Sequence, residues 1–104
     1  MDFNQNDIYN ESPLFEAIDQ KNLELVKFLV EKCGADIEHR EVQHRSPLYV
    51  ACSGGAMEIA LYLLEKGADI NAVTLIGRSA LSKACWNGRA DFVEMLLKQP
   101  GINY

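Results

Sequence analysis

The sequence predicts an all-α fold, a solenoid of stacked helix-turn-helix units joined by β-turn or hairpin loops. Three observations predict it. The chain repeats itself every 33 to 34 residues, since Ser12-Pro13-Leu14-Phe15 recurs as Ser46-Pro47-Leu48-Tyr49 and then as Ser79-Ala80-Leu81-Ser82. Each copy carries an alanine two residues past that tetrapeptide, at Ala17, Ala51 and Ala84. Each then runs into an apolar cluster ending in a pair, Leu29-Val30, Leu63-Leu64 and Leu96-Leu97. Aligning 12–38 on 46–71, with Cys33 as an insertion, matches 12 of 26 positions. Fixed periods of this size mark arrays in which one small unit stacks on the next.

The elements of a unit follow in chain order. Ser12 and Ser46 suit a helix N-cap, where the hydroxyl accepts a backbone N–H. Pro13 and Pro47 then occupy the first helical position, where a missing N–H costs nothing. Leu14, Ala17 and Ile18 fall on one helical face. Gly55 and Gly88 end the first helix in the left-handed conformation. A second helix follows, with Leu25, Val26, Leu29 and Val30 on its inner face; 23–31 corresponds to 57–65 and 90–98. Gly34 and Gly67 stop it. Segments 36–45 and 69–78 are polar and lack helical periodicity, so they read as long turns or short hairpins.

These units resemble the ankyrin repeat. The family pattern contains Thr-Pro-Leu-His, an alanine in the first helix, a glycine turn, a Leu-Leu second helix and Gly-Ala-Asp-Ile-Asn. The second unit matches it best, through Ser46-Pro47-Leu48-Tyr49, Ala51, Gly55, Ile59, Leu63-Leu64 and Gly67-Ala68-Asp69-Ile70-Asn71. The resemblance divides a single domain, 1–104, into repeats at about 7–39, 40–72 and 73–104, the last cut short at its end. Four departures stand out. Phe15, Tyr49 and Ser82 replace the family histidine. Lys21 replaces the glycine after the first helix, and His44 the turn glycine that Gly77 supplies in the third unit. Strain or an altered turn is expected at His44, because histidine takes positive φ less readily than glycine. Cys33 and Pro100 each look like a one-residue insertion.

One unit cannot bury its apolar face alone. The expected shared core is Leu14, Ala17, Leu25, Leu29, Leu48, Ala51, Cys52, Ile59, Leu63, Leu81, Ala84, Cys85, Phe92 and Leu96. The C-terminal unit lacks a polar outer face. The sequence therefore reads as the N-terminal piece of a longer array, with self-association through the 92–97 face as the alternative.

Composition narrows the function. Ten basic and 15 acidic side chains give a net charge of −5, which argues against nucleic acid as a partner in the absence of a local basic patch. No apolar run approaches the roughly 20 residues of a membrane span, and no signal peptide is evident at the start. Three cysteines are an odd, sparse set, so Cys33, Cys52 and Cys85 read as reduced thiols in a cytoplasmic or nuclear protein. No phosphate loop or dinucleotide fingerprint is present. His39 and His44, near Glu38 and Glu41, do not follow a known ligand spacing and read as solvated turn residues. No catalytic residue, metal site or cofactor is expected.

What the resemblance implies is protein binding. In ankyrin proteins the turn tips and exposed sides of the first helices form a concave surface that holds partners. Carried over, that surface comprises Ile8, Tyr9, Glu11, Asp19 and Gln20 in the first unit, and Arg40, Val42, Gln43, Arg45 and Ser53 in the second. The third contributes Val73, Leu75, Ile76, Arg78, Trp86 and Asn87. The residues themselves point the same way, because Val73, Leu75 and Ile76 are apolar where a turn is normally polar. The bland alternative is that they pack on a neighbouring turn. The expected function is a non-catalytic interaction module, anchored by Trp86, Leu75, Ile76, Arg45 and Arg78. The alternatives are a structural or self-associating array and a targeting module of a larger enzyme or signalling protein. Asn71 also resembles sites that asparaginyl hydroxylases modify.

Overall fold

The computed structural model describes residues 13–40 and 43–102. Six helices follow one another in pairs: α1 (Pro13–Asp19) with α2 (Leu23–Lys32), α3 (Pro47–Gly54) with α4 (Met57–Glu65), and α5 (Ala80–Trp86) with α6 (Ala90–Leu97). The anticipated N-cap Ser12 lies outside the described residues. The other first helices begin as the sequence indicates. Ser46 Oγ accepts from Tyr49 N at 3.1 Å with Pro47 at the first position, and Ser79 Oγ accepts from Ser82 N at 3.2 Å. Asn22 caps α2 in the same way, its Oδ1 accepting from Leu25 N at 3.1 Å.

Within each pair the chain reverses through one left-handed residue. Gly55 (φ 82°) and Gly88 (φ 70°) serve in the second and third pairs, and Lys21 (φ 56°) in the first. His44 (φ 63°) likewise adopts the conformation that Gly77 (φ 75°) adopts one unit later. The turn is kept at both non-glycine positions, and the backbone carries the cost. For a residue with a Cβ, that cost is about 1–2 kcal/mol.

First helices pack on first helices, α3 lying between α1 and α5, while α2 and α4 meet more sparingly. The cause is the alanine in each first helix. Ala17, Ala51 and Ala84 are fully buried and allow the backbones to approach closely. The second helices interpose larger side chains, such as the buried Tyr62. The stack is therefore tighter along its first helices, which makes that side the inner one. Leu14, Val26, Leu48, Ile59, Leu63, Phe92 and Leu96 fill the space between the two layers.

Two members of the expected core differ. Cys85 is exposed, although Cys52 at the equivalent place is buried. The reason is position in the stack: α3 has a first helix on either side, whereas α5 has α3 on one side and none of the described residues on the other. Leu25 is half-buried, because it lies at the rim of α2. Burial pushes the Cys52 thiol up to about 12, so it stays protonated and inert. The 92–97 face keeps its two expected core members inside. Phe92 and Leu96 are buried, leaving Leu97 exposed with Val93 and Met95 partly covered.

Polar contacts join successive units at equivalent places. Asp36 Oδ1 accepts from Glu38 N at 2.9 Å, and Asp69 Oδ1 accepts from Asn71 N at 3.0 Å, folding each Gly-Ala-Asp-Ile segment into an Asx turn. The residue two places on then reaches the next unit. Glu38 Oε2 accepts from Asp69 N at 2.7 Å, and Asn71 Nδ2 donates to Gly101 O at 2.8 Å. On the outer side, Tyr62 Oη donates to Glu31 Oε2 at 2.7 Å, with the ammonium groups of Lys27 and Lys66 5.8 and 5.6 Å from the Tyr62 ring centre. That hydrogen bond holds the Glu31 carboxyl below its usual value of 4.5. Burial, the bond to Glu31 and the nearby Glu31 and Glu65 charges push Tyr62 up to about 12.

Two predictions follow from this backbone and this brace. Lys21→Gly and His44→Gly each relieve the left-handed strain and give back part of the gain as unfolded-state entropy. Each is expected to raise the unfolding free energy by about 0.5–1 kcal/mol in urea titration; a loss of stability would show that the side chains contribute more than the strain costs. For the brace, Glu31 has a folded pKa below its unfolded one. Its stabilising share is present above about pH 4.5 and fades as pH falls through the folded value. Tyr62 has a raised folded pKa, so its share is present below about pH 10 and fades towards 12. Tyr62→Phe is therefore expected to melt earlier than the parent at neutral pH, with the gap closing in acid. A gap that stays constant down to strongly acidic pH would contradict the assignment.

Candidate functional site

The inner side of the stack ends in the hairpin between α4 and α5. Val73 pairs with Ser79 in an antiparallel bridge. Gly77 N donates to Thr74 O at 2.9 Å, Thr74 N to Arg78 O at 3.0 Å, and Arg78 N to Thr74 Oγ1 at 3.3 Å. Gly77, in the left-handed conformation, is the bulge that lets a short turn rejoin the bridge. This closes a four-residue turn whose two central residues are Leu75 and Ile76. They are 73% and 75% exposed. Turns favour Gly, Asn, Asp, Ser or Pro at such places, each for its backbone or local hydrogen bonding. Two large aliphatic side chains there contribute nothing to the turn.

The tip does not stand alone. Leu75 N donates to Gln43 O at 3.4 Å, tying it to the preceding hairpin. Between the two hairpins lies a cleft of about 190 Å³ lined by Gln43, Arg45, Tyr49, Thr74, Leu75 and Ile76. At the far end of α5, Trp86 is 73% exposed, and the Arg78 guanidinium lies 5.2 Å from its ring centre. That stacking holds a large exposed aromatic in place. Asn87 Nδ2 donates to Ser53 O at 3.4 Å, locking the ends of α5 and α3 together beside it.

The structure thus brings Gln43, Arg45, Leu75 and Ile76 to one cleft, Arg78 to Trp86, and Asn87 to Ser53. Val73 is 47% exposed at the base of the hairpin, and Asp19 is exposed at the end of α1. Arg40 is half-buried and lies 3.6 Å from Glu38 Oε1, so it braces the joint between units. Ile8, Tyr9, Glu11, Glu41 and Val42 lie outside the described residues. Asn71 uses its amide to reach Gly101, as above. The sequence reading missed Tyr49 and Thr74 as parts of the cleft. The signal for Tyr49 was its place in the tetrapeptide where the family carries histidine. Thr74 gave none, because only the closed turn shows its buried hydroxyl taking a backbone N–H.

Among the described residues no group of three His, Cys, Asp or Glu side chains is placed to hold a metal ion, and no helix is long and apolar enough to cross a membrane. His39 lies against Phe15, ring centres 6.2 Å apart.

Comparison with known proteins settles the kinship. Residues 14–104 match the family described as ankyrin repeats in three copies. The chain belongs to the ankyrin-repeat family. Over 59 residues it is 51% identical to human protein phosphatase 1 regulatory subunit 27, covering 57% of this chain and 38% of that protein. Over 78 residues it is 41% identical to the ankyrin repeat and KH domain-containing protein mask of Drosophila melanogaster, covering 73% of this chain and 2% of that one. Over 52 residues it is 46% identical to the probable E3 ubiquitin-protein ligase XBOS33 of Oryza sativa subsp. japonica, covering 50% and 10%. The chain spans well under half the length of each of these relatives. Ankyrin repeats are in general protein-binding modules, and the repeat itself is non-catalytic.

If the exposed tip serves binding and not packing, its removal leaves the ankyrin stack intact. Leu75→Ser, Ile76→Ser and Trp86→Ala are each expected to change the unfolding free energy by no more than about 0.5 kcal/mol in thermal or urea unfolding. A drop of about 2 kcal/mol or more would mean that they pack on the neighbouring turn.

Proposed function

We propose that the chain is a non-catalytic module that grips a protein partner on its inner side, across the hairpin tips and the exposed edges of α3 and α5. The observation that carries this is the grouping of Leu75, Ile76 and Trp86, all about three-quarters exposed, on a backbone fixed at both ends. Exposed aromatic and aliphatic anchors beside arginines are typical of interface hot spots. A preformed surface also loses little conformational entropy on binding. The anchors in this reading are Trp86, Leu75, Ile76, Arg45 and Arg78, with Gln43, Ser53, Val73 and Asn87 around them. Asp19, Arg40 and, outside the described residues, Tyr9 extend the surface towards the first repeat.

The relatives support a targeting role. The aligned stretch is a small part of proteins named a phosphatase regulatory subunit and a probable E3 ligase. A module of this kind supplies the contact, and chemistry belongs to whatever is attached or bound. Three unlinked cysteines fit a cytoplasmic or nuclear setting.

Affinity purification with quantitative mass spectrometry, comparing the parent with Ile76→Asp/Trp86→Ala, tests this reading. The first candidate to look for is protein phosphatase 1, given the phosphatase relative. The double variant is expected to lose the specific partners at least tenfold while keeping its circular dichroism and melting temperature. Retention of the same partners by a folded double variant would remove this surface from consideration. Light scattering covers the self-associating alternative, which requires an oligomer that Leu97→Glu dissolves.

A further inference from the structure

Charge changes sign along the stack. Residues 1–39 hold nine acids and three cations, 40–72 four and three, and 73–104 two and four, so the three repeats carry −6, −1 and +2. Equivalent places show the same trend. The residue before each of Ser12, Ser46 and Ser79 is Glu11, then Arg45, then Arg78. Glu16 of α1 becomes Val50 in α3 and Lys83 in α5, and Asp19 becomes Ser53 and then Trp86. Glu16 and Asp19 are exposed one turn apart, and α1 carries no cation. Gln20 Nε2 donates to Glu16 Oε1 at 3.4 Å, which leaves the carboxylate its charge. The cations nearby do not offset this pair. Lys21 lines a separate cleft with Leu23, Met57 and Glu58. The hairpin segment 36–45 holds three acids against two arginines. The row of first helices therefore ends in two exposed carboxylates on one side and in the exposed indole of Trp86 on the other.

From this we infer that the inner side takes an extended basic segment of a protein partner, its lysine or arginine over Asp19 of α1 and a large apolar side chain against Trp86 of α5. The inference rests on the protein-binding reading above and narrows it to a ligand chemistry and an end-to-end polarity. The spacing follows from equivalence, since Asp19 and Trp86 occupy the same place two units apart. Neighbouring first helices lie roughly 10 Å apart, so the two places are separated by about 20 Å. An extended segment rises about 3.3 Å per residue, so about six residues cover that distance. Side chains an even number of places apart on such a segment point to the same face. The cation and the apolar side chain thus reach the surface together. The residues between them cross α3, which carries no ionised side chain and asks for no charge there. An acidic segment in the same place would face the excess of acids in residues 1–39, and the same field repels a phosphate backbone.

The test is selection of phage-displayed random peptides on the 104-residue chain, whose longest dimension is 38 Å. Peptides of about 12 residues reach roughly 40 Å when extended and can cross it. Binding of the enriched peptides is then measured by fluorescence polarisation. The expected consensus is Lys/Arg and a large apolar residue about six positions apart. Asp19→Lys is expected to weaken these peptides roughly fivefold or more, and raising salt from about 0.05 to 0.5 M to weaken them similarly. Asp19 is exposed, and a lysine at the C-terminal end of α1 suits the helix dipole, so the variant keeps its fold. The deciding measurement is a charge swap. A peptide whose Lys/Arg is changed to Glu is expected to lose binding to the parent and to recover part of it on Asp19→Lys, which a merely structural role for Asp19 would not produce. Four results overturn the proposal. Enriched acidic or neutral peptides that still require Trp86 would sink the basic ligand and leave the binding surface standing. Basic peptides that require Trp86 but bind Asp19→Lys unchanged would sink the placement over α1. Peptides indifferent to Asp19→Lys and Trp86→Ala alike, or no enrichment at all, would sink the basic ligand, and the indifferent case removes the surface as well. A concentration-dependent dimer abolished by Asp19→Lys would assign the surface to a second copy of this chain.

Discussion

Close approach of the first helices is the constraint on which the rest depends. Each helix pair is too small to enclose its own apolar residues, so neighbours must supply the missing walls. Ala17, Ala51 and Ala84 make that approach possible, because a larger side chain at any of them would hold two backbones apart. The result is an asymmetric stack, tight along the first helices and looser along the second. Its inner side, and the direction in which the hairpins project, follow from that asymmetry. α3, the first helix with another on either side, buries six of its eight residues.

Because the core is made by stacking, the hairpin tips are free to vary. The turn between Thr74 and Gly77 is held by backbone bonds and one hydroxyl, none of which involves the side chains of Leu75 or Ile76. Conformation is set at Gly77 and composition at the tip. The same division appears in the Asx turns, where Asp36 and Asp69 fold the segment while the residue two places on differs. Glu38 accepts from the next unit and Asn71 donates to it, so opposite hydrogen-bonding roles fill one structural place. The stack asks only that a polar group bridge the joint.

Much of this was legible in the sequence, and the parts that were not share a cause. The 33–34-residue period, the serine caps and the glycine stops give the helix pairs, since each is a local signal read within one unit. Lys21 and His44 were legible as departures, and the backbone accommodates both by accepting strain. What a period cannot convey is how many neighbours a unit has. Cys52 and Cys85 are equivalent by register, yet one is enclosed and the other exposed, because enclosure comes from the next helix and not from the residue. On the 92–97 face the expected core residues Phe92 and Leu96 are buried, and Leu97 is left exposed. Contacts that join units, such as Tyr62 with Glu31, had no local signature, as their partners lie about one period apart and on different helices. The cleft was half legible. Apolar residues in a turn stood out by composition, whereas Tyr49 and Thr74 belong to it only through the fold.

The same division of labour shapes where charge sits. Acidic residues collect where the repeat needs or tolerates them, as Asp in the Asx turns and as Glu on the solvated backs of the second helices. Among the first helices, α3 and α5 contribute alanine and aliphatic packing and carry one ionised side chain between them, Lys83, whereas α1 carries Glu16 and Asp19. In the two hairpin segments, 36–45 and 69–78, the signs are mixed, Arg40, Arg45 and Arg78 standing among Asp36, Glu38, Glu41 and Asp69. What sets the third repeat's tip apart is therefore its exposed apolar surface at Leu75, Ile76 and Trp86, which the stack does not need.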